Sequence, residues 1–347
     1  MAQDNSLLKK VVVANIIAET KDTSTFELQP LDGWQPDYEA GQFITLVFNN
    51  GLHEDRRSYS FSSAPLLGEP MRITVKRVEN GEYSRYMLDH IQKGDILLTS
   101  GISGRFTLPA ETQVKQLFFI AAGSGITPVF SLLKTALQTT LLPVTLIYSN
   151  RTIGDTIFFN RLVALKEAYG DRLHIEFLYS THADIKQKRL SNWLLLQLLP
   201  LLVKSSLRDC LFYICGPFDY MQMITITLLT EGTPKENIRK ENFSTLPPVI
   251  KNKPPDTDAH NVEIHINHQS YNVAVQYPHS ILAAAKAKGI VLPYSCEAGR
   301  CGSCAATCTE GKVWMAYNEV LVDEETEQGR ILTCQGYPVS GDVKISF

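Results

Sequence analysis

Through the first third of the chain, apolar residues come in short runs, at 11–13, 25–28, 43–48, 71–78 and 95–99, set apart by Gly, Pro and Asn turns. Runs of this length and spacing predict the short strands of a small antiparallel barrel or sandwich. Two polar segments break the pattern. In Arg56-Arg57-Ser58-Tyr59-Ser60-Phe61-Ser62-Ser63 cations, a ring and hydroxyls follow one another along a predicted strand. Residues 80–84 (Asn-Gly-Glu-Tyr-Ser) predict a turn that opens a helix over 85–91, whose free N–H groups can receive a phosphate.

From Gln113 the period changes. A continuous apolar strand over 116–122 runs into Gly123-Ser124-Gly125-Ile126-Thr127-Pro128 and then an apolar helical stretch to Leu137. Thr127 is expected as N-cap and Pro128 as first helical residue. Strands at 144–148, 174–179 and 211–214 then alternate with helices at 156–169 and 191–202. The last strand ends in Cys215-Gly216-Pro217 before another helix to Thr230. Such alternation predicts a parallel sheet flanked by helices, with ligands beyond the carboxyl ends of its strands. Pro247, Pro248, Pro254 and Pro255 mark a semi-extended linker. Beyond it, alternating strands at 262–266 and 271–275, a helix at 280–288 and strands at 305–309 and 343–347 form a last unit. The expected division is therefore 1–110, 111–246, a linker over 247–258, and 259–347.

Composition narrows the possibilities. With 347 residues and 44% hydrophobic content the chain can bury two or three cores. Lys and Arg total 33 against 36 Asp and Glu, so no basic excess points to nucleic acid. The deficit lies after residue 258, where nine acidic residues face six basic ones. The run Asp323, Glu324, Glu325, Glu327 reads as a solvated face, with steering toward a basic partner as the functional alternative. The longest apolar segment, 194–203, is interrupted by Gln197 and Pro200 and is too short to span a bilayer. No membrane insertion is expected, and reducing cytoplasm is the expected home.

The strongest chemical signal is cysteine spacing. Cys296, Cys301 and Cys304, with Cys334 thirty residues on, form a C-x4-C-x2-C…C run, the plant-type pattern for one [2Fe-2S] cluster. Thiolates are soft donors, and four complete two tetrahedral irons. Zinc sites usually pair two C-x2-C knuckles, and this segment has one. No histidines are spaced for a Rieske-type site, and Cys308 is expected to be a buried structural thiol. A one-electron cluster needs a donor, and the upstream motifs fit one. Arginine pairs bidentately with pyrophosphate, a tyrosine ring packs on a flat heterocycle, and serine hydrogen-bonds its edge.

With R-x-Y-S, G-S-G-I-T-P, C-G-P and C-x4-C-x2-C in this order, the chain resembles the ferredoxin-NADP reductase superfamily members that carry a C-terminal plant-type ferredoxin domain. The resemblance runs from about residue 7 to 347. Pro293-Tyr294-Ser295-Cys296 and Ile331-Leu332-Thr333-Cys334-Gln335 read most like reductase components of phenylacetyl-CoA oxygenases. Hybrid-cluster-protein reductases and phthalate dioxygenase reductases are similar too. The resemblance implies an antiparallel β-barrel flavin domain, a parallel-sheet α/β nucleotide domain and a β-grasp ferredoxin domain. It implies Arg57 and Ser84 on flavin phosphates, Tyr59 near the isoalloxazine and Ser60 by N5, with Ser58, Lys76 and Gly81 on the same flavin side. Gly123, Ser124, Gly125, Thr127, Cys215, Gly216 and Pro217 would surround the nicotinamide nucleotide, with Asn150 and Arg151 on its adenosine side. Phe243, from an E-x-F segment with Glu241, would pack by the flavin ring. Ser60 and Cys215 are the implied catalytic pair.

The implied activity is transfer from NADH or NADPH to FAD, in preference to FMN, then to the cluster and a separate acceptor protein. That acceptor would be a di-iron oxygenase component or a hybrid-cluster protein. A redox sensor that does not turn over is the remaining alternative.

Overall fold

The computed structural model describes residues 8–49, 54–110, 113–184, 188–243 and 253–347. The expected linker up to residue 252 lies outside the described residues. Its final residues are tied down: Asp256 accepts from Ser340 N at 2.8 Å and hydrogen-bonds the His260 ring at 2.7 Å. No helix among the described residues is long and apolar enough to cross a membrane.

The first unit contains β1 (Lys9–Thr20), β2 (Thr23–Pro30), β3 (Phe43–Asn49), β4 (Glu54–Ser60), β5 (Met71–Lys76), α1 (Glu82–His90) and β6 (Ile96–Ser103). Its six strands pair antiparallel in the order β4-β3-β6-β1-β2-β5. A bridge from Phe61 to Ile73 joins the two ends of the sheet, closing it as a barrel. Phe26, Ile44, Leu46, Phe61 and Ile73 fill the inside. Enclosing side chains of this size stabilises by about 1.5–3 kcal/mol each.

The second unit alternates β7 (Gln116–Ala122), α2 (Ile126–Thr139), β8 (Val144–Asn150), α3 (Phe159–Tyr169), β9 (Leu173–Tyr179), α4 (Asn192–Leu202), β10 (Cys210–Cys215), α5 (Phe218–Thr230) and β11 (Ile238–Glu241). The sheet is parallel, in the order β11-β10-β7-β8-β9. The chain walks outward from β7 to β9 and returns to β10, so β7 and β10 flank the topological switch point. Two details differ from expectation. The helix expected from Thr156 starts at Phe159, because Phe158 takes a left-handed φ of 64° and interrupts it. Thr127 is not an N-cap: α2 begins at Ile126, and Thr127 Oγ1 donates back to Ser124 O at 3.0 Å inside the first turn.

The third unit holds β12 (His260–Ile266), β13 (Gln269–Val275), α6 (Ile281–Ala287), β14 (Ala305–Glu310), β15 (Val313–Met315), α7 (Asp323–Glu327), β16 (Arg330–Leu332), β17 (Gly336–Pro338) and β18 (Val343–Ser346). A mixed sheet in the order β13-β12-β18-β14-β16 packs with α6 around Val262, Ile264, Ile281, Leu332 and Ile345. Cys304 and Cys334 belong to this core. Cys308 is only half-buried, its thiol donating weakly to Glu310 O just before a register shift in β14. The acidic run is largely the solvated face expected, with Asp323, Glu324 and Glu327 exposed and only Glu325 half-buried. It forms α7, where Glu325 pairs with Arg105 of the barrel unit and Asp323 with Lys235 of the nucleotide unit at 3.1 Å.

Candidate active site and cluster loop

The three units meet around one cleft of about 1910 Å³. Small-molecule sites usually occupy about 300–1,000 Å³, so this one has room for more than one ligand. Strand β4 ends the strand order beside β3, and it presents Arg57, Ser58, Tyr59 and Ser60 to the cleft. Burial pushes the Tyr59 phenol up, so it remains a neutral ring. Lys76, Gly81 and Ser84 line the same cleft. Here the helix starts earlier than the expected Arg85. The Ser84 hydroxyl accepts from Val78 N at 3.1 Å and donates to Gly81 O at 3.2 Å, which tightens the turn and puts Ser84 in the first turn of α1.

At the switch point the two glycine motifs touch. A Cβ on Gly125 would sit 2.1 Å from the Cys215 carbonyl oxygen, so only glycine permits the approach. Gly123 takes a φ of 55°, and Gly123–Gly125 form a 3-10 turn leading into α2. Ser124 and Thr127 face the cleft, whereas Gly123, Gly125, Cys215, Gly216 and Pro217 are not among its lining residues. Asn150 ends β8, and neither its amide nitrogen nor its oxygen has a hydrogen-bond partner although the side chain is buried. Its neighbour Tyr148 uses its hydroxyl on Gly123 O at 3.0 Å. An orphaned amide at the carboxyl edge of a parallel sheet fits a site for a polar nucleotide. Arg151, next in the chain, is exposed.

Where barrel and parallel sheet converge, the Ser60 hydroxyl donates to Glu241 Oε2 at 3.1 Å. Glu241 and Cys215 stand opposite each other in the β10–β11 register. Burial pushes the Cys215 thiol well up, with the Glu241 charge adding to the shift, so it stays protonated. Glu241 as a residue is partly exposed, yet its carboxyl is enclosed, and that enclosure pushes it up to about 8 against the countering Ser60 hydrogen bond. Sequence reasoning used this glutamate only to frame Phe243, which is itself exposed and lines the cleft. A buried acid one hydroxyl away from β4 carries no local sequence signal.

This shift has a checkable consequence. A free glutamate titrates near 4.5, so between that pH and about 8 the folded protein binds more protons than the unfolded chain. Stability from this group is complete below 4.5 and is lost as pH rises toward 8. Glu241→Gln is expected to flatten that part of a thermal-unfolding profile. Parallel profiles for variant and wild type would contradict the assignment.

The cluster loop arrives from the other side. Cys296 and Cys301 line the cleft, while Cys304 and Cys334 lie behind them in the ferredoxin core. Among the described residues no three His, Cys, Asp or Glu side chains stand together as ligands for a single metal ion. The thiols instead form two pairs, Cys296 with Cys301 and Cys304 with Cys334, each hydrogen-bonded within itself. Two pairs fit two irons, and this is the donor set a binuclear cluster needs. Cys296 is held down to about 6, first by the Cys301 hydrogen bond and further by backbone N–H groups of Ala298, Arg300 and Cys301. Gly299 makes this wrap possible, with φ of 73° and a Cβ position 2.9 Å from Tyr317 O.

Three family descriptions match the chain. Residues 10–108 match an oxidoreductase FAD-binding domain, 119–225 an oxidoreductase NAD-binding domain, and 264–339 a 2Fe-2S iron-sulfur cluster binding domain. The ferredoxin reductase component of 3-ketosteroid-9-alpha-monooxygenase from Rhodococcus rhodochrous is 33% identical over 97% of this chain and 96% of its own. One of the subunits of 1,2-phenylacetyl-CoA epoxidase from Escherichia coli is 33% identical over 97% of each chain. Phthalate dioxygenase reductase superposes over 100% of both chains with a TM-score of 0.61 at 24% identity, a likeness of fold.

Proposed function

This chain belongs to the ferredoxin-NADP reductase superfamily, in the branch that joins FAD-binding, NAD-binding and 2Fe-2S domains, and from that premise we propose that it serves as the reductase component of an oxygenase system. It is an NAD(P)H-dependent oxidoreductase with FAD and a 2Fe-2S centre. The observation that carries the reading is the shared cleft: Cys296 and Cys301 line the same space as Tyr59 and Ser60. When bound, the flavin supplies the conversion that the chain needs, because nicotinamide delivers two electrons together and the cluster takes one.

The chain's own residues divide the remaining work. In this reading Arg57 and Lys76 meet the negative charge of the flavin phosphates, and Ser84 offers its hydroxyl beside them. Tyr59, neutral because buried, packs on the flavin as an uncharged ring. Ser60 holds a hydroxyl proton at the hydride-transfer centre, and Glu241 holds a second one behind it up to about pH 8. Cys215, protonated and enclosed, keeps water and charge away from the nicotinamide side. Asn150 has a whole amide free for the nucleotide. The four cysteines hold the cluster, and the backbone N–H groups around Cys296 tune it.

The finer proposal concerns the acceptor. Both relatives described above are named as parts of oxygenase systems, a monooxygenase and an epoxidase. The protein reduced with NADH and mixed with the purified oxygenase components of phenylacetyl-CoA epoxidase is expected to sustain many turnovers with saturable dependence on those components. Fast reduction of a hybrid-cluster protein with none of any oxygenase component would overturn this acceptor. Failure to turn over even with cytochrome c would make the protein a sensor.

A further inference from the structure

The R-x-Y-S motif leaves its preceding residue, Arg56, without a task. Successive side chains of β4 point to opposite faces, so Arg56, Ser58 and Ser60 share one face and Arg57 and Tyr59 the other. The Arg56 guanidinium lies over the Tyr294 ring, 3.8 Å from its centroid, and donates to the Tyr294 carbonyl at 3.2 Å. Its Nε is held by Glu54 at 2.8 Å, and only 7% of the side chain is exposed. One step along the same face, the Ser58 hydroxyl bonds both Ser295 and, at 2.9 Å, Thr45. Tyr294 and Ser295 immediately precede the cluster cysteine Cys296. Lys286 also stands over the Tyr294 ring at 4.3 Å and pairs with Glu297 at 2.9 Å, so the chain is gripped on both sides of Cys296.

We propose that Arg56 is a positioning residue for electron transfer from flavin to cluster, clamping the Cys296 approach against the flavin strand. The inference rests on the electron order given above. The ion pairs between ferredoxin unit and reductase body hold a different segment: Arg105–Glu325 and Lys235–Asp323 both grip α7, well past the Cys296 approach. Lys235 and Asp323 are 76% and 83% exposed, and a pair so exposed contributes little and is screened by salt. Arg56 is desolvated, offers a planar fork to ring and carbonyl together, and joins residues 238 apart in sequence. Glu54 takes only the Nε donor, and an NH1 donor of the same buried guanidinium goes across to the Tyr294 carbonyl. Transfer between two centres falls steeply with their separation, so loosening this contact slows that step and no other.

The test uses the full, cofactor-loaded chain with Arg56→Gln and Arg56→Lys. After rapid mixing with NADH, the flavin absorbance should bleach at the wild-type rate in both. Cluster bleaching should slow by about tenfold or more in Arg56→Gln, as a small misplacement suffices for that. Arg56→Lys keeps a cation over the ring without the fork and should fall between. Amide exchange across residues 290–297 should rise in the same order, with both midpoint potentials unchanged. Wild-type cluster kinetics and exchange in both variants would overturn the clamp. Should Arg56→Gln not fold, Tyr294→Leu removes the contact from the other side and must give the same two changes. A wild-type protein whose flavin bleaches while its cluster stays oxidised would instead sink the electron order itself.

Discussion

Cys301→Ser is expected to give a folded yellow protein without iron. Cys301 lines the cleft, unlike Cys304 and Cys334, which are part of the ferredoxin core, so the substitution removes a ligand without opening a cavity. Serine is a poor replacement because its oxygen is a hard donor with a much higher pKa than a thiol. One thiol pair is left with a single sulfur, and a binuclear centre cannot be completed. Cytochrome c reduction should fall by at least about a hundredfold, the upper end of what losing even an outer-shell partner of a metal costs. NADH should still bleach the flavin, and ferricyanide, which can take electrons from flavin, should still be reduced. Iron analysis and absorption spectra separate the outcomes. A variant that retains iron and full cytochrome c activity would remove Cys301 from the ligand set.

Ser60→Ala is expected to act at the other end of the relay. The hydroxyl is 5% exposed and its proton goes to Glu241. Deleting it removes the donor proposed to stand beside the reacting atoms and leaves an enclosed carboxyl without its partner. Loss of one such donor in an enclosed site typically costs about 10²–10³-fold in rate. The residues proposed to hold the nucleotide lie at the carboxyl ends of β7, β8 and β10, so the dissociation constant for NADH should hardly change. Stopped-flow mixing at several NADH concentrations separates the limiting rate from affinity. An unchanged limiting rate would deny Ser60 its place by flavin N5.

The extent to which this arrangement was legible in sequence follows from how local each signal is. Cys296, Cys301 and Cys304 carry a spacing that is itself the geometry a cluster asks for, so they announce one within nine residues. The strand, glycine turn and helix at Gly123 read clearly for the same reason. Arg56 and Tyr294 could not be read as partners, because the contact lies across 238 residues and each alone is an ordinary strand or loop residue. Glu241 escaped notice because its altered proton affinity arises from burial against another domain, which no neighbouring residue encodes. The acidic run was legible as a solvated face, and Asp323, Glu324 and Glu327 are exposed, but charge pattern does not say what lies opposite Glu325. In the fold it is a helix of five residues, too short for a periodic signal, with Arg105 and Lys235 opposite it. Strands β15, β16 and β17 are three residues each, below the length at which alternation can be recognised.

The central claim is that one polypeptide takes electrons in pairs at the nicotinamide site and hands them singly to iron and sulfur across a shared cleft. Anaerobic titration of the purified protein with NADH, followed by absorption and electron paramagnetic resonance, tests it directly. The expected result is loss of the flavin band, then partial bleaching of the cluster bands with the signal of a reduced [2Fe-2S] centre. A colourless preparation, zinc in place of iron, or a flavin that bleaches while the cluster never gains an electron would contradict it.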